Sequence, residues 1–411
     1  MKKLLDIFLG VMTALGGFVD IGELVFMAQA GARFSYSLLW VVVLGTIGII
    51  VYSEMCGRIA AVAKQPVFVV IRQRMGPALG MITFIASTLV NIITCAAEIG
   101  GVALILKLLV GSGPVWLPLA VALALIGLIA VLPFRWIERV FGIAGLTMIV
   151  FFVAAVAVHP DWSTAARDLA PNLPRIHGHE IVLYGYFIVG ILSSVMMPYE
   201  VYFYSSGGIE EGWKEADLVP NKVNTILGFS LGSVVSMAIV VLGAVVFLPR
   251  GILPDTLGSS AMLVGVPYGR IGITLALVGM LTAVAGAATE TALASAYNFA
   301  QYFDHAWGRS LPFRKTPTFD AAWIITFLLA AILMMLGIDP IEMVELSVMA
   351  AVVCLPFTYL PILLTARDPV IMGKHRNGPV ANALGWVFFV IITATAIAAP
   401  FLLVATGMGS Y

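Results

Sequence analysis

The sequence predicts an all-α integral membrane protein, and three observations support this fold class. Of the 411 residues, 61% are hydrophobic and 11% are charged, whereas a soluble domain carries about 25% charged residues. The mean hydropathy is +1.04. Apolar runs of about 20 residues, the length that a membrane-spanning helix needs, recur along the whole chain. Together these features exclude an ordinary soluble domain.

The apolar runs predict eleven transmembrane helices. Turn signals such as His159-Pro160, Pro220-Asn221 and Gly378-Pro379 separate neighbouring runs. In chain order, the predicted helices 1 to 11 lie near 5–30, 37–60, 78–110, 115–133, 140–158, 181–205, 223–248, 269–299, 320–338, 341–365 and 382–407.

Several functional classes are excluded by composition and motifs. The formal net charge is zero, which argues against a nucleic-acid-binding surface. The three cysteines lie far apart in apolar runs, so neither a disulfide framework nor a zinc site is expected. The chain contains no HExxH motif or comparable catalytic constellation. We therefore expect neither an enzyme nor a bound cofactor.

The distribution of basic residues predicts the orientation in the membrane. With the N-terminus in the cytoplasm, the cytoplasmic segments hold 16 Lys and Arg residues and the outer segments hold 6. Basic residues favour the cytoplasmic side. With eleven helices, the N-terminus is then cytoplasmic and the C-terminus lies outside.

Two short stretches indicate an internal repeat. Residues 20–23 read DIGE in predicted helix 1, and residues 197–200 read MPYE in predicted helix 6. Each combines a potential ligand, a helix breaker and an acid three positions later. Because five helices separate the two, the second copy is inverted in the membrane. Inverted repeats with broken helices are a known design of secondary transporters.

Five acids lie deep within predicted helices, without a deep Lys or Arg to pair with. A carboxylate at the centre of a bilayer costs about 2.5 kcal/mol or more, so protons or bound cations must neutralise these acids. The alternative is that each acid is protonated and bonded to a neighbouring helix. The close pair in predicted helix 1 fits that alternative least well. The five acids are Asp20, Glu23, Glu98, Glu200 and Glu290.

The helix breakers beside these acids favour a metal site. Gly22 weakens the helix between its two acids, and Pro198 removes a backbone donor and clashes with the preceding turn. Carbonyl oxygens freed at such breaks bind cations. Most of the 18 methionines are expected to fill the core, but Met197 directly precedes Pro198. A thioether beside carboxylates favours a transition metal over Mg²⁺ or Ca²⁺.

Four motifs resemble the Nramp family of proton-coupled Mn²⁺ and Fe²⁺ transporters, in order along nearly the whole chain. They are GFVDIGELVFMAQAGARFSYSLLWVV in predicted helix 1, TCAAEIGG in helix 3, MMPYEVYFYSSG in helix 6 and LSVMAAVVCLPFTYLPILL in helix 10. The resemblance implies a leucine-transporter-type fold with a 5+5 inverted repeat and broken helices 1 and 6. Within one domain, 1–411, the repeats would cover 1–158 and 180–366, followed by helix 11 in 380–411.

The resemblance also implies a ligand set. Asp20 matches the family's metal-binding aspartate, and Glu23 matches its metal-binding asparagine. Met197 matches the methionine ligand, and Ser194 matches the position whose backbone carbonyl binds metal. Glu98 matches the glutamate of helix 3.

Other positions depart from the family pattern. The motif proline is Ile21, the helix 6 histidine is Tyr199 and the helix 10 glutamine is Val348. The helix 3 aspartate is Cys95, and no counterpart of the helix 9 arginine is evident. Because the family's proton route uses these last two residues, the resemblance does not by itself imply proton coupling in this chain. Glu200 and Glu290 are additional acids and become candidate proton-carrying or gating groups.

We therefore expect a secondary transporter that imports Mn²⁺ or Fe²⁺ by alternating access, with proton coupling left open. It would be a monomer in a bacterial inner membrane, and its partners would be the cation, the bilayer and, if coupled, protons. One alternative is an uncoupled Mg²⁺ transporter of the Nramp-related type. Another is an organic-solute transporter on the same fold, but acids at the helix break would repel an amino-acid carboxylate.

Overall fold

The computed structural model describes residues 19–172, 178–407 and 409, and these residues form helices joined by short connections. We number the α-helices along the chain. They are α1 (Ile21–Phe34), α2 (Leu39–Ala63), α3 (Val67–Val110), α4 (Leu117–Val131), α5 (Phe134–Gly145), α6 (Ile149–Ala157), α7 (Trp162–Arg167), α8 (His179–Val195), α9 (Pro198–Glu210), α10 (Leu218–Leu242), α11 (Leu257–Tyr302), α12 (Pro317–Met335), α13 (Pro340–Ala366), α14 (Pro369–Met372) and α15 (Pro379–Ala405).

The all-α membrane architecture is confirmed. Within the described ranges, nine helical segments are long and apolar enough to cross a membrane, and α4 is a shorter apolar helix. Predicted helix 1 is represented by α1, while residues 5–18 of that prediction lie outside the described residues. The total of eleven spans therefore stays a prediction. The expected interruption of predicted helix 6 is present between α8 and α9.

Two predicted spans are preceded by a short helical segment that the apolar pattern of the sequence did not reveal. In α3, Gly76 has φ +75° directly before Pro77. A positive φ suits glycine, and a residue before proline avoids the helical region, so residues 67–75 form a separate helix. In α11, Gly269 has φ +59°, two residues after Pro267, and separates residues 257–268 from the rest of the helix. The predicted spans 78–110 and 269–299 thus omitted their leading segments.

Glycines allow α1 and α10 to touch through their backbones. A Cβ atom added at Gly31 would lie 2.1 Å from the carbonyl oxygen of Val240, and one added at Gly243 would lie 2.6 Å from the carbonyl oxygen of Ala28. Small residues permit such close approach of membrane helices. At this contact, α10 continues into a π-helical segment, Gly243–Phe247. This packing holds α1 against the core.

The most extensive helix contacts among the described residues involve α3. α3 makes its largest contacts with α11 and α13, and α1 packs against α8 and α10. By contrast, α15 packs chiefly on α13 and has a low buried share in its apolar window. The start of α1 therefore lies inside the bundle, and α15 lies at its periphery.

Candidate metal centre

The start of α1 is organised by Asp20. Asp20 is the N-cap residue, with extended backbone angles of φ −93° and ψ −178°, and its Oδ1 accepts a hydrogen bond of 2.8 Å from the amide of Glu23. An aspartate in this position satisfies one of the unpaired amides of the first turn. Gly22 is helical, so α1 begins before Gly22 and is not broken at it. The segment that precedes Val19 lies outside the described residues.

Gly22 has a different structural role, which is close packing. A Cβ atom there would lie 3.0 Å from Oδ1 of Asp20, 3.0 Å from Cγ2 of Val348 and 3.6 Å from Cβ of Ser194. The first two distances are shorter than ordinary van der Waals contact. The absence of a side chain therefore lets α8 and α13 approach the carboxylate of Asp20.

A helix interruption separates α8 from α9. Met196 and Met197 leave the helical conformation, and Pro198 is the first residue of α9. In a continuous helix the carbonyl of Ser194 would accept from the amide of residue 198, but proline has no N–H. The carbonyl of Met196 accepts a 3.0 Å hydrogen bond from the hydroxyl of Tyr359. The carbonyl of Ser194 is thus the one that Pro198 leaves without its helical partner.

A tyrosine connects the interruption between α8 and α9 with the start of α1. The hydroxyl of Tyr199, which is 1% exposed, donates to Oδ2 of Asp20 over 3.4 Å. This residue occupies the position at which the resemblance places a histidine, and the sequence did not predict its contact with Asp20. The tyrosine directly after Met197 and Pro198 was the one sequence signal that could have indicated this contact. The contact brings the first turn of α9 to the N-cap of α1.

Glu98 reaches the same point from α3. Its Oε1 accepts a hydrogen bond of 3.3 Å from the amide of Ile21, while Oε2 has no partner among the described residues. The side chain is fully buried. Because the amide of Ile21 opens α1, the carboxylate of Glu98 lies at the positive end of the helix, where an anion is stabilised.

Two further carboxylates are buried without hydrogen-bond partners. Glu23 is 0% exposed and Glu200 is 6% exposed, and none of their four carboxylate oxygens accepts a hydrogen bond within the described part of the chain. The hydroxyl of Ser236 on α10 is near Glu23 but donates to the carbonyl of Gly232 over 3.3 Å. Glu200 is in the first turn of α9, but its oxygens accept no bond from the amides there. An unpartnered buried charge is very costly. These side chains therefore require a cation or a proton.

Glu290 is arranged differently from the other acids. Its side chain is partly exposed, although Thr289 and Thr291 on either side are 0% exposed. It interacts electrostatically with Tyr199 and Glu200. The structure shows no hydrogen bond from Glu290 to the residues at the start of α1 or at the interruption between α8 and α9.

The ligand chemistry is mixed. Among the described residues, no three His, Cys, Asp or Glu side chains are close enough to hold a metal ion together. A cation between the start of α1 and the interruption would therefore need ligands other than acids. Met197 is the N-cap residue of α9 and is 1% exposed. Val348 offers no side-chain ligand, and its carbonyl already accepts a 2.6 Å bond from Ser193.

Comparison with known sequences identifies one family model and many relatives. The model for natural resistance-associated macrophage protein-like (Nramp) proteins matches residues 10–401. The divalent metal cation transporter MntH of Ralstonia nicotianae is 28% identical, with 92% of this chain and 86% of the relative covered. MntH 1 of Pseudomonas aeruginosa is 26% identical, with 92% and 87% covered.

Comparison with solved structures supports the fold. A manganese transporter of Eremococcus coleocola, solved with an aromatic bis-isothiourea compound, has a TM-score of 0.76 at 18% identity and covers 99% of this chain and 93% of its own. MhsT in complex with L-phenylalanine has a TM-score of 0.64 at 14% identity and covers 97% and 98%. These similarities confirm the predicted leucine-transporter-type fold, and at such identities they concern the fold alone.

Proposed function

The chain belongs to the Nramp family, and from this premise we propose that it is a secondary transporter importing a divalent metal cation, Mn²⁺ or Fe²⁺, by alternating access. One observation carries the proposal. The buried carboxylate of Glu23 accepts no hydrogen bond within the described residues and lies in α1, one turn from Asp20. A dication is the substrate that compensates such a charge.

In this proposal, the ligands come from the start of α1 and from the interruption between α8 and α9. Asp20 and Glu23 provide carboxylate oxygens, Met197 provides the thioether, and Ser194 provides the carbonyl that Pro198 leaves without its helical partner. Glu200 is a further ligand or a proton-carrying group. Oxygen ligands alone suit Mg²⁺, whereas an added thioether selects for softer transition metals.

Alternating access would follow from the break geometry. In the leucine-transporter design, one repeat or bundle rocks against the other around a fixed site near the middle of the membrane. The bond from Tyr199 to Asp20 joins the first turn of α9 to the N-cap of α1, so it would change as the repeats move. The two repeats would cover residues 1–158 and 180–366, with helix 11 in 380–411.

The names of the relatives support the substrate class. The two relatives described above are named divalent metal cation transporters, and the structural neighbour is named a manganese transporter. We propose the same class for this chain, as a monomer in the bacterial plasma membrane with a cytoplasmic N-terminus and an external C-terminus. Metal uptake by proteoliposomes, measured with a panel of Mn²⁺, Fe²⁺, Mg²⁺ and Ca²⁺, tests the proposal, and absence of uptake for all four would refute it.

Substitution of Met197 by alanine should reduce selectivity. Met197→Ala removes the only thioether at the interruption that we assign as a ligand, so the preference for Mn²⁺ over Mg²⁺ should fall at least about tenfold, equivalent to 1.4 kcal/mol. Uptake of Mn²⁺ itself should largely persist. Competition by Mg²⁺ against Mn²⁺ uptake measures the effect.

Met196→Ala is the matched control. Met196 is also fully buried, but its sulfur lies 2.7 Å from the position of an added Cβ at Gly48 in α2. It should lower stability without changing the ratio of Mn²⁺ to Mg²⁺ uptake. If the wild type carries Mg²⁺ and Mn²⁺ equally well, the thioether is not a filter, and the uncoupled Mg²⁺ transporter becomes the better assignment.

Substitution of Glu200 by glutamine should uncouple proton flux from metal flux. Asp20 and Glu23 interact electrostatically with Glu200. The three side chains are not close enough to ligate one ion together, but carboxylates buried near one another cannot all ionise cheaply. Entry of the metal should therefore release a proton. In liposomes, we expect the protons moved per metal ion to fall from about one to zero in Glu200→Gln, because only one proton is displaced from the group.

The control for this experiment is Glu345→Gln. Glu345 is also a buried acid, but it lies on α13 and interacts with Gln29 and Arg33 rather than with the candidate metal centre. It should leave the ratio unchanged. Glu98 and Glu290 are the other proposed proton-linked or gating acids. Wild-type metal uptake without internal acidification at any pH would show that transport is uncoupled and that our role for Glu200 is wrong.

A further inference from the structure

A groove separate from the metal centre lies between α2, α10 and α15. Its volume is about 440 Å³, within the range of about 300–1,000 Å³ that is usual for small-molecule sites. The walls come from the second half of α2, the first half of α10 and the start of α15. The apolar residues that line it are Ile50, Val51, Met55, Ile226, Val380, Ala381 and Leu384.

The apolar walls face outward from the bundle. Ile226 is 39% exposed, Leu384 is 37% exposed and Val380 is 73% exposed. α15 is the peripheral helix of the fold, with most of its apolar window unburied by the protein. In a membrane these surfaces contact lipid, so the groove is open to lipid along its length.

One end of the groove carries three charged side chains. Arg58 and Glu54 form a two-bond pair, with Nε to Oε1 and Nη2 to Oε2 both at 3.0 Å. Arg58 Nη1 also donates to the carbonyl of His375 over 2.6 Å, which fixes the guanidinium. Lys222 is exposed and lines the same end. Because Glu54 compensates Arg58, the charge of Lys222 leaves this end with a net charge of +1.

We propose that this groove binds an anionic phospholipid, with the phosphate at Lys222 and the start of one acyl chain along the apolar walls. Basic pockets between membrane helices on the cytoplasmic side bind acidic lipid headgroups, and Lys222 lies on the side predicted to be cytoplasmic. An acyl chain matches the open apolar walls, and a negative headgroup compensates the net charge. The proposal does not depend on which cation is transported.

The test is a lipid titration of the purified full chain by native mass spectrometry, with phosphatidylglycerol and phosphatidylcholine in parallel. Wild-type protein should retain phosphatidylglycerol preferentially. Lys222→Gln should weaken its binding about fivefold, since one Lys near a charged surface contributes about 1 kcal/mol. Lys315→Gln removes an exposed cation outside the groove and should leave binding unchanged.

A second variant tests the apolar part. Ala381→Phe fills the groove beside Leu384 and should abolish preferential retention, while Lys222 keeps its charge. Inorganic phosphate at the same concentration should neither compete with the lipid nor stabilise the protein. Equal retention of both lipids by the wild type, or unchanged retention in both groove variants, would overturn the proposal.

Discussion

Asp20→Ala should abolish metal binding and transport while the protein still folds. Asp20 has two structural contacts, accepting from the amide of Glu23 and from the hydroxyl of Tyr199. Loss of the helix cap costs about 1 kcal/mol, which is partly offset because a buried carboxylate is removed. Loss of a ligand should lower cation affinity by more than about 100-fold, since outer-shell changes alone cost about 10–100-fold.

Isothermal titration with Mn²⁺ and proteoliposome uptake measure this effect. Asp20→Asn separates charge from capping, because an amide oxygen still accepts from the amide of Glu23 while the negative charge is gone. It should fold as the wild type does and still bind metal poorly. Asp255→Asn, an exposed acid outside the centre, is the control. Wild-type cation affinity in purified Asp20→Ala would show that the metal binds elsewhere.

Gly31→Ala should strongly lower the stability of the folded protein. The new Cβ atom would lie 2.1 Å from the carbonyl oxygen of Val240 and 2.9 Å from the amide nitrogen of Ala244. Both are backbone atoms, so relief requires α1 to move away from α10. Overpacking usually costs about 1–3 kcal/mol and occasionally more; we expect the upper end of this range or beyond.

Thermal unfolding in detergent, followed by size-exclusion chromatography, measures this loss. Gly127→Ala is the matched control, because an added Cβ atom in that helix meets nothing within 4 Å. Alanine is favoured over glycine by about 1 kcal/mol in a helix interior, so Gly127→Ala should be neutral or stabilising. Equal thermal stability of the two variants would mean that α1 and α10 are not in backbone contact.

The sequence alone was sufficient for the fold class and for most helices. Long apolar runs with few charges require membrane helices, and the break before Pro198 follows from the missing N–H of proline. Burial of a charge is energetically costly wherever it occurs, so acids within apolar runs were candidate functional residues. These acids are Asp20, Glu23, Glu98, Glu200 and Glu290. These are local properties of the chain, which is why they are readable without a structure.

The tertiary structure decided how the candidate metal centre is assembled. Tyr199 reaches Asp20 across 179 positions of sequence, and Glu98 reaches the amide of Ile21 across 77. The function of Gly22 is likewise set by neighbours on α8 and α13 rather than by its own helix propensity. Such contacts depend on which helices pack together, and helix periodicity specifies a buried face without specifying the partner that covers it.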